Sequence, residues 1–268
     1  MPSEPTLCRV ENGIDDSGFA DKMAEFVRTF HRELVKACDR PEMICIDGKA
    51  MRGTVQKNGR NPDIISVYSP DTGITLATEA CEEKSNEIKA VPLLLDKIGI
   101  AGKLVTADAM SMQKDIINKI RKKNGYFLIE LKANQRALRY GVEDKIRLDA
   151  PRFTYSYGPE LEHGRIETRL YVANLPVETS SIGKAVRKHW PIESMHWGLD
   201  VNLLQDSTKR KLTRAARNLD TLQRIVYSLF SVWKGRRKKL SDKAKGVAEL
   251  MRFVAKSFTK LRHFLSQK

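Results

Sequence analysis

The segment KLVTADAMSMQKDIINKIRKKNGYFLIEL, residues 103–131, carries the clearest structural pattern in the chain. Its two apolar runs, KLVTADA and YFLIEL, are typical of buried β-strands. The residues between them, from Gln113 to Lys123, place apolar side chains at the spacing of an amphipathic helix. Since strand, helix and strand alternate, the segment predicts a βαβ unit with two parallel strands, and therefore an α/β fold.

Three further β-rich runs precede this segment: MICID at 43–47, IISVYS at 64–69 and ITLATEAC at 74–81. The last two are joined by a short stretch that contains proline and glycine, which predicts a tight hairpin. A helix is expected from Glu87 to Ile98. The predicted order β-β-β-α-β-α-β fits a ribonuclease-H-like mixed sheet flanked by helices.

The rest of the sequence predicts how the chain is divided. We expect five segments: an N-terminal helical segment (1–42), the first part of the ribonuclease-H-like core (43–131), an insertion (132–177), a core helix segment (178–206) and a basic helical C-terminal segment (207–268). The first segment is expected to begin irregularly and to form a helix from about Asp16 to Ala37. The insertion is interpreted as a loop or a small β unit, and Pro191 is expected to kink or start the helix of the fourth segment.

The positive charge of the chain lies in its C-terminal segment. The formal net charge is +15, from 48 Lys and Arg against 33 Asp and Glu. Residues 207–268 hold 18 of the basic residues and three of the acidic ones, so residues 1–206 have no net charge. Such a segment favours a polyanion, because each cation that meets a phosphate releases counterions. Nucleic acid is the expected partner, with a solvated helix surface and, less favoured, a membrane surface as alternatives.

The composition excludes several other classes of protein. No apolar run approaches the roughly 18 to 20 residues that span a bilayer, and the N-terminus lacks an apolar signal core. The four cysteines show no zinc-binding spacing, so we expect reduced thiols. A membrane protein, a secreted protein and a disulfide framework are therefore not expected.

Two aspartates each end a predicted strand, Asp47 and Asp108, and they would lie side by side if these strands are neighbours. Glu193 lies on a later predicted helix and shares one face with His196 and Asp200. Three carboxylates can hold two hard cations about 3.5 to 4 Å apart for in-line phosphodiester displacement. Taken singly, each aspartate is more often a turn residue, and Glu193 a solvated one. Asp200 is interpreted as an auxiliary metal ligand or an orienting group, and His196 as a phosphate or structural contact.

Six sequence blocks, in this order, resemble a known family: ICIDGKAMRGT at 44–54, EEKSNEIKAVPLLLD at 82–96, TADAMSMQ at 106–113, LKANQ at 131–135, HGRIETR at 163–169 and HWPIESMHWGLDV at 189–201. The chain resembles the H-repeat-associated (Rhs-linked), ISAs-type insertion-sequence transposases of the DDE class. The resemblance extends from about Pro2 to about Leu229. Several ordered blocks make it more specific than any single block.

The resemblance implies a ribonuclease-H-like core in which Asp47, Asp108 and Glu193 are the catalytic, metal-binding triad. It implies two Mg²⁺ ions as cofactors, with Mn²⁺ as a substitute. The implied activity is DNA hydrolysis at the element ends followed by strand transfer into target DNA, without a covalent protein intermediate. Double-stranded DNA is the implied partner, a homo-oligomer on DNA the implied assembly, and the bacterial cytoplasm at the nucleoid the implied location.

Basic residues near the triad and in the tail are the predicted DNA contacts. Lys49 and Arg52 follow the first aspartate closely and are placed to meet phosphate, with surface salt bridging as the alternative. The full predicted set is Lys49, Arg52, Lys132, Arg165, Arg169, His196, Arg214, Arg217, Arg236, Arg237, Lys238 and Lys239.

The chain departs from the family pattern at four places. It begins at PSEPTLCR, so we expect an N-terminal truncation, and HGRIETR runs straight into LYVANLP, so we expect a shortened insertion. Ala133 replaces the glycine of the usual KGNQ block, and QDST at 205–208 keeps only Asp206 of a more acidic block. Two alternatives to an active transposase stay open: a catalytically silent remnant that only binds DNA, and an RNA-directed hydrolase on the same fold.

Overall fold

A six-stranded mixed sheet forms the centre of the protein. The computed structural model describes residues 3–35, 41–55, 59, 61–81, 87–132, 135–148, 169–175, 179–207, 210–211, 214–236 and 246–256. The strands of the sheet, in chain order, are β1 (Met43–Ala50), β3 (Asp63–Ser69), β4 (Ile74–Cys81), β5 (Leu104–Ala107), β6 (Tyr126–Leu131) and β7 (Leu170–Ala173). A separate two-stranded parallel pair joins β2 (Thr54–Val55) to β8 (Arg210–Lys211).

Helices flank the sheet and follow it at the C-terminal end. Their bounds are α1 (Glu4–Gly13), α2 (Asp16–Leu34), α3 (Glu87–Lys97), α4 (Lys114–Lys122), α5 (Arg136–Leu148), α6 (Thr179–His189), α7 (Pro191–Asn202), α8 (Arg214–Arg236) and α9 (Val247–Ala255). A short 3₁₀ turn, Ala109–Ser111, follows β5. The mixed α/β architecture predicted from the sequence is confirmed.

The strands lie in the order β4-β3-β1-β5-β6-β7. β1 pairs antiparallel with β3 and parallel with β5, and β5 pairs parallel with β6. The two parallel pairings require crossovers, and the βαβ unit of the 103–131 segment supplies one of them through α4. The predicted order is present in the structure with one addition, the two-residue strand β2.

The two faces of β1 contact different layers, because successive side chains of a strand point to opposite sides. Ile44 and Ile46 belong to the large core that β1 shares with α2, α3 and α4. Met43 and Cys45 belong to a second cluster with the buried residues of α7. The odd-numbered positions of β1 therefore face α7, and Asp47 continues that series.

A buried polar cluster around Glu42, which we call the Glu42 cluster, joins the start of β1 to its neighbours. Glu42 Oε1 lies 2.8 Å from His31 Nε2 and accepts a hydrogen bond from Ser69 Oγ at 3.3 Å. Glu42 Oε2 lies 2.9 Å from Lys103 Nζ. Burial raises the pKa of Glu42, but the bonds from His31 and Lys103 outweigh it and leave this pKa below its ordinary value.

Three parts of the chain differ from the sequence-based expectation. The N-terminus is helical from Glu4 where an irregular start was expected, since Pro5 suits the first turn of a helix. The first half of the expected insertion forms α5, because residues 136–148 consist mostly of good helix formers. Its end forms β7, which pairs antiparallel with β6 and extends the main sheet. Residues 149–168 lie outside the described part.

The described part of the C-terminal segment contains the short strand β8 and the helices α8 and α9. α8 packs against α1, α2 and β4. Phe230 of α8 forms a small core with Leu250 and Val254 of α9. None of the described helices is long and apolar enough to cross a membrane. The three described cysteines are free thiols, as expected, and Cys38 lies outside the described residues.

Candidate active site

Asp47 and Asp108 each directly follow the last paired residue of the two parallel strands β1 and β5, although β1 itself continues to Ala50 in its pairing with β3. The register between β1 and β5 runs from Met43 opposite Leu104 to Ile46 opposite Ala107. Asp47 and Asp108 are the next positions on each strand, and Asp108 keeps an extended backbone with φ −62° and ψ 157°. Both residues line one cleft of about 290 Å³. The predicted neighbourhood of these two strands is therefore confirmed.

The carboxylate of Asp47 is partly exposed and has a neighbour at each oxygen. Its Oδ1 accepts a hydrogen bond from the backbone N–H of Gly48 at 2.9 Å. Its Oδ2 lies 3.5 Å from Nδ1 of His196 on α7, and the Asp47 side chain is 22% exposed. The strand thus fixes the direction of this carboxylate while leaving it open to the cleft.

Glu193 lies in the first turn of α7, which begins at Pro191 as one of the two sequence-based alternatives expected. The side chain of Glu193 is exposed. On the same helix, His196 faces Asp47 and Asp200 faces Lys49. Spacings of three and seven residues from Glu193 place these two on its side of α7.

His189, at the end of α6, lies among the acidic residues of the site. Its Nδ1 is 2.7 Å from the hydroxyl of Thr106 on β5. Burial lowers the pKa of His189, although the charges of Asp47, Glu193, Asp108 and Glu130 act to raise it. A neutral imidazole is therefore favoured at neutral pH. Sequence reasoning assigned no role to this histidine, although it opens the HWPIE block.

The donor set of the site consists of carboxylate oxygens, which are the ligands that hard divalent cations prefer. Asp47 and Asp108 share the cleft, and both act on the same imidazole as Glu193. Within the described part of the chain, no three His, Cys, Asp or Glu side chains lie close enough together to hold a metal ion as they stand. The donors fit a divalent cation in chemical type.

Lys132 is the basic residue beside Asp108. Its Nζ lies 3.0 Å from Glu130 Oε2 and 3.7 Å from Asp108 Oδ1. The bond from Glu130 raises the pKa of Lys132, against a smaller effect of burial, and Asp108 adds to this rise. Lys132 is therefore charged, and half of its side chain is exposed at the mouth of the site.

Lys49 and Asp200 are paired with each other in the structure. The Lys49 side chain is 7% exposed, and its Nζ lies 2.8 Å from Asp200 Oδ1 and 3.0 Å from Asp206 Oδ2. A buried ammonium held by two carboxylates is not available to DNA phosphate, and the salt-bridge alternative applies to it. The Asp200 oxygen that meets Lys49 is likewise not free for a metal ion.

His196 is also too buried for the predicted phosphate contact, since 9% of the residue is exposed. Burial lowers the pKa of His196, while the contact with Asp47 raises it. Both effects follow from its position between α7 and β1. The structural alternative that was left open for this residue is the one observed.

The remaining predicted DNA contacts fall into three groups. Arg52 and Arg169 are exposed, and Arg214 is largely exposed at 4.0 Å from Asp16. Arg217 is bound to Asp16 at 2.9 Å and is used within the fold. The side chains outside the described part are those of Arg165, Arg236, Arg237, Lys238 and Lys239.

A buried ion pair of α8 was not predicted. Arg224 Nε lies 2.9 Å from Asp220 Oδ2, and both side chains are 2% exposed. Arg224 Nη1 also donates to Ser66 Oγ on β3 at 2.7 Å. The spacing of four residues between an aspartate and an arginine was the available signal in the sequence. Part of the basic tail therefore holds α8 on the sheet.

The chain is similar to known transposases. Residues 39–229 match the family model described as "Transposase DDE domain". The chain is 29% identical to YncI of Escherichia coli O157:H7, named a putative transposase, over 92% of this chain and 75% of that relative. It is 28% identical to the H-repeat-associated protein YhhI of Escherichia coli K12, over 86% of this chain and 74% of the relative.

A solved structure agrees with the fold. The chain matches a piggyBac transposase, from a cryo-EM structure of its synaptic complex with hairpin DNA, with a TM-score of 0.52 and 11% identity. The match covers 95% of this chain and 61% of the piggyBac chain, and at this identity it supports the ribonuclease-H-like fold alone. The family match over most of the chain and the two named relatives show that this protein belongs to the transposase DDE-domain family and is an H-repeat-associated, DDE-type transposase.

Proposed function

We propose that this chain cuts DNA at the ends of an insertion element and joins those ends to target DNA, with Asp47, Asp108 and Glu193 holding the divalent metal ions. One observation carries the proposal. The last paired residues of the parallel strands β1 and β5 are Ile46 and Ala107; Asp47 and Asp108 come directly after them and line one cleft. α7 lies against the same end of β1 and brings Glu193 to this side of the sheet.

DDE transposases as a class depend on divalent metal ions. We assign Mg²⁺ here, as two ions, with Mn²⁺ as a substitute, because carboxylate oxygens suit both. Such ions, when bound, stabilise the negative charge on the attacking and leaving oxygens. The Gly48 N–H orients the Asp47 carboxylate, and Asp108 directly follows β5 with an extended backbone.

The reaction consists of two displacements at phosphorus. In the first, a water oxygen bonds to the phosphorus and the bond to the 3′ oxygen breaks, which leaves a 3′ hydroxyl and a 5′ phosphate. In the second, that 3′ hydroxyl attacks a target phosphodiester and releases a new 3′ hydroxyl. Lys132 stands at the mouth of the site, where its charge would attract the phosphate.

Double-stranded DNA is the proposed partner. The exposed cations Arg52, Lys132, Arg169 and Arg214 are its proposed phosphate contacts among the described residues. Two element ends must be brought together, so we propose that two or more copies assemble on DNA. The piggyBac neighbour was solved in a synaptic complex with hairpin DNA. The proposed location is the bacterial cytoplasm, at the nucleoid.

The test is cleavage of a plasmid that carries the gene with its native flanks, with Mg²⁺, with Mn²⁺ and with EDTA. Asp108→Asn is compared with Asp115→Asn, which removes the same charge from an exposed position on α4. We expect metal-dependent cuts at defined end positions that disappear in Asp108→Asn and persist in Asp115→Asn. If the wild-type protein folds and binds DNA but makes no cuts, the chain is a catalytically silent remnant that only binds DNA.

A further inference from the structure

Lys49 lies on the same face of β1 as Asp47, two residues further along the strand. Its Nζ donates to Asp206 Oδ2 at 3.0 Å and to the carbonyl of Ala50 at 3.2 Å. The same nitrogen forms an ion pair with Asp200 Oδ1 at 2.8 Å. Asp206 Oδ1 also accepts from the backbone N–H of Gly53 at 3.2 Å.

These contacts, which we call the Lys49 cluster (Lys49, Asp200 and Asp206), join three parts of the chain. Lys49 belongs to β1, Asp200 to the last part of α7, and Asp206 to the loop that follows α7. The Lys49 ammonium is buried, so its charge would be costly without these partners. The cluster therefore holds α7 and the following loop against β1.

α7 contacts β1 at two points that match in spacing. His196 meets Asp47 at 3.5 Å, and Asp200 meets Lys49 at 2.8 Å. Four helix residues rise about 6 Å, and two strand residues rise about 6.6 Å. The spacing of the two contact residues along α7 therefore matches the spacing of their partners along β1. A slide of α7 by one residue, about 1.5 Å, would separate both pairs.

Glu193 depends on this register because it lies one turn before His196 on the same side of α7. On the far side of Glu193, His189 is anchored to Thr106 at 2.7 Å. Glu193 itself is exposed and must approach Asp47 and Asp108 to share a metal ion with them. Its starting position is set by the contacts of its helix rather than by its own side chain.

We propose that the Lys49 cluster fixes the position of α7 along β1 and thereby places Glu193 opposite Asp47 and Asp108. Lys49, Asp200 and Asp206 are positioning residues in this arrangement. The inference rests on the proposed function, because it requires Glu193 to be a metal ligand.

A positioning role and a simple charge effect predict opposite results for Lys49→Met. If Lys49 acted only through its positive charge, its removal would strengthen the binding of a cation nearby. If Lys49 positions Glu193, its removal weakens cation binding. We expect a loss of about tenfold or more in Mn²⁺ affinity, as is typical when the support of a metal ligand is removed.

The experiment measures Mn²⁺ binding to the full chain by calorimetry, for wild type, Lys49→Met and Lys97→Met. Lys97 is the matched control, because it also bridges two acidic side chains, Asp21 and Glu79, at 2.8 and 3.0 Å. Lys97→Met is expected to bind Mn²⁺ like wild type. In a Glu193→Gln background, Lys49→Met is expected to cause no further loss.

Two results would overturn the inference alone: wild-type or tighter Mn²⁺ binding by Lys49→Met, or an equal loss in the Glu193→Gln background. Wild-type protein that binds no Mn²⁺ would overturn the proposed function and this inference together. If Lys49→Met does not fold, Asp206→Asn serves, because it keeps an acceptor for Gly53. Amide exchange in metal-free Asp206→Asn should then rise in α7 and not in α4, and unchanged exchange in α7 would contradict the inference.

Discussion

Replacing Arg224 by methionine tests how much the buried ion pair of α8 contributes to stability. The substitution leaves Asp220 charged and 2% exposed, with Gln205 Nε2 at 2.7 Å as its remaining described donor. It also removes the donor to Ser66 Oγ and so loosens α8 from β3. Breaking one side of a buried pair typically lowers the free energy of unfolding by about 3 to 5 kcal/mol. This is a large part of the roughly 5 to 15 kcal/mol that stabilises a typical protein.

The assay is urea unfolding followed by fluorescence, with the transition midpoint and slope compared between variants. Arg252→Met is the control, because Arg252 is exposed on α9 and its Nε contacts only the Ala248 carbonyl of its own helix in the described contacts. It should change the free energy of unfolding by less than about 0.5 kcal/mol. The double variant Arg224→Met/Asp220→Leu should recover much of the loss, because no unpaired charge stays buried. A loss below about 1 kcal/mol for Arg224→Met alone would refute the reasoning.

Two further predictions concern stability. Since the pKa of Glu42 in the folded state lies below its ordinary value, the Glu42 cluster should stabilise the protein above that ordinary pKa and lose this contribution as the pH falls through the folded pKa. Urea unfolding measured from pH 7 to pH 3 should show that the free energy of unfolding falls less for Glu42→Gln than for wild type. An equal fall in both proteins would contradict the pairing of Glu42 with His31 and Lys103. Gly198→Ala should lower the free energy of unfolding by about 1 to 3 kcal/mol, because its Cβ would lie 2.3 Å from the Tyr227 ring. Gly235→Ala, which meets nothing within 4 Å, should be neutral or stabilising, and equal destabilisation of both variants would refute the packing argument.

The fold of this chain could be predicted because its strands and helices carry their patterns locally. The apolar runs of β1, β5 and β6 and the amphipathic α4 are each complete within about ten residues. α1 was missed because EPTLCRVENG combines proline, glycine and asparagine with few apolar residues. α5 was missed because RALRYGVEDKIRL contains a glycine and many charged residues, and its first residues, 136–142, are largely exposed.

The location of the two aspartates of the candidate site could be predicted from the sequence, but the partners of its lysine could not. Asp47 and Asp108 could be placed together on the assumption of a ribonuclease-H-like sheet, in which β1 and β5 are neighbours, and the structure pairs these two strands in parallel. Their role as metal ligands with Glu193 stays a prediction. The partners of Lys49 could not be found, because Asp206 is 157 residues away in the sequence and no local pattern joins them.

The different fates of the basic residues follow from where each one meets the sheet. Charge counting treats every lysine and arginine as available for phosphate, but a cation that packs between a helix and the sheet must find carboxylates within the fold. Lys49 of β1 pairs with Asp200 of α7. Arg224 of α8 pairs with Asp220 of the same helix and donates to Ser66 of β3. The exposed cations Arg52, Arg169 and Arg214 stay the proposed phosphate contacts among the described residues. In the positioning role that we propose, Lys49 acts before any DNA contact, because its cluster holds the helix that carries Glu193 beside the strand that carries Asp47.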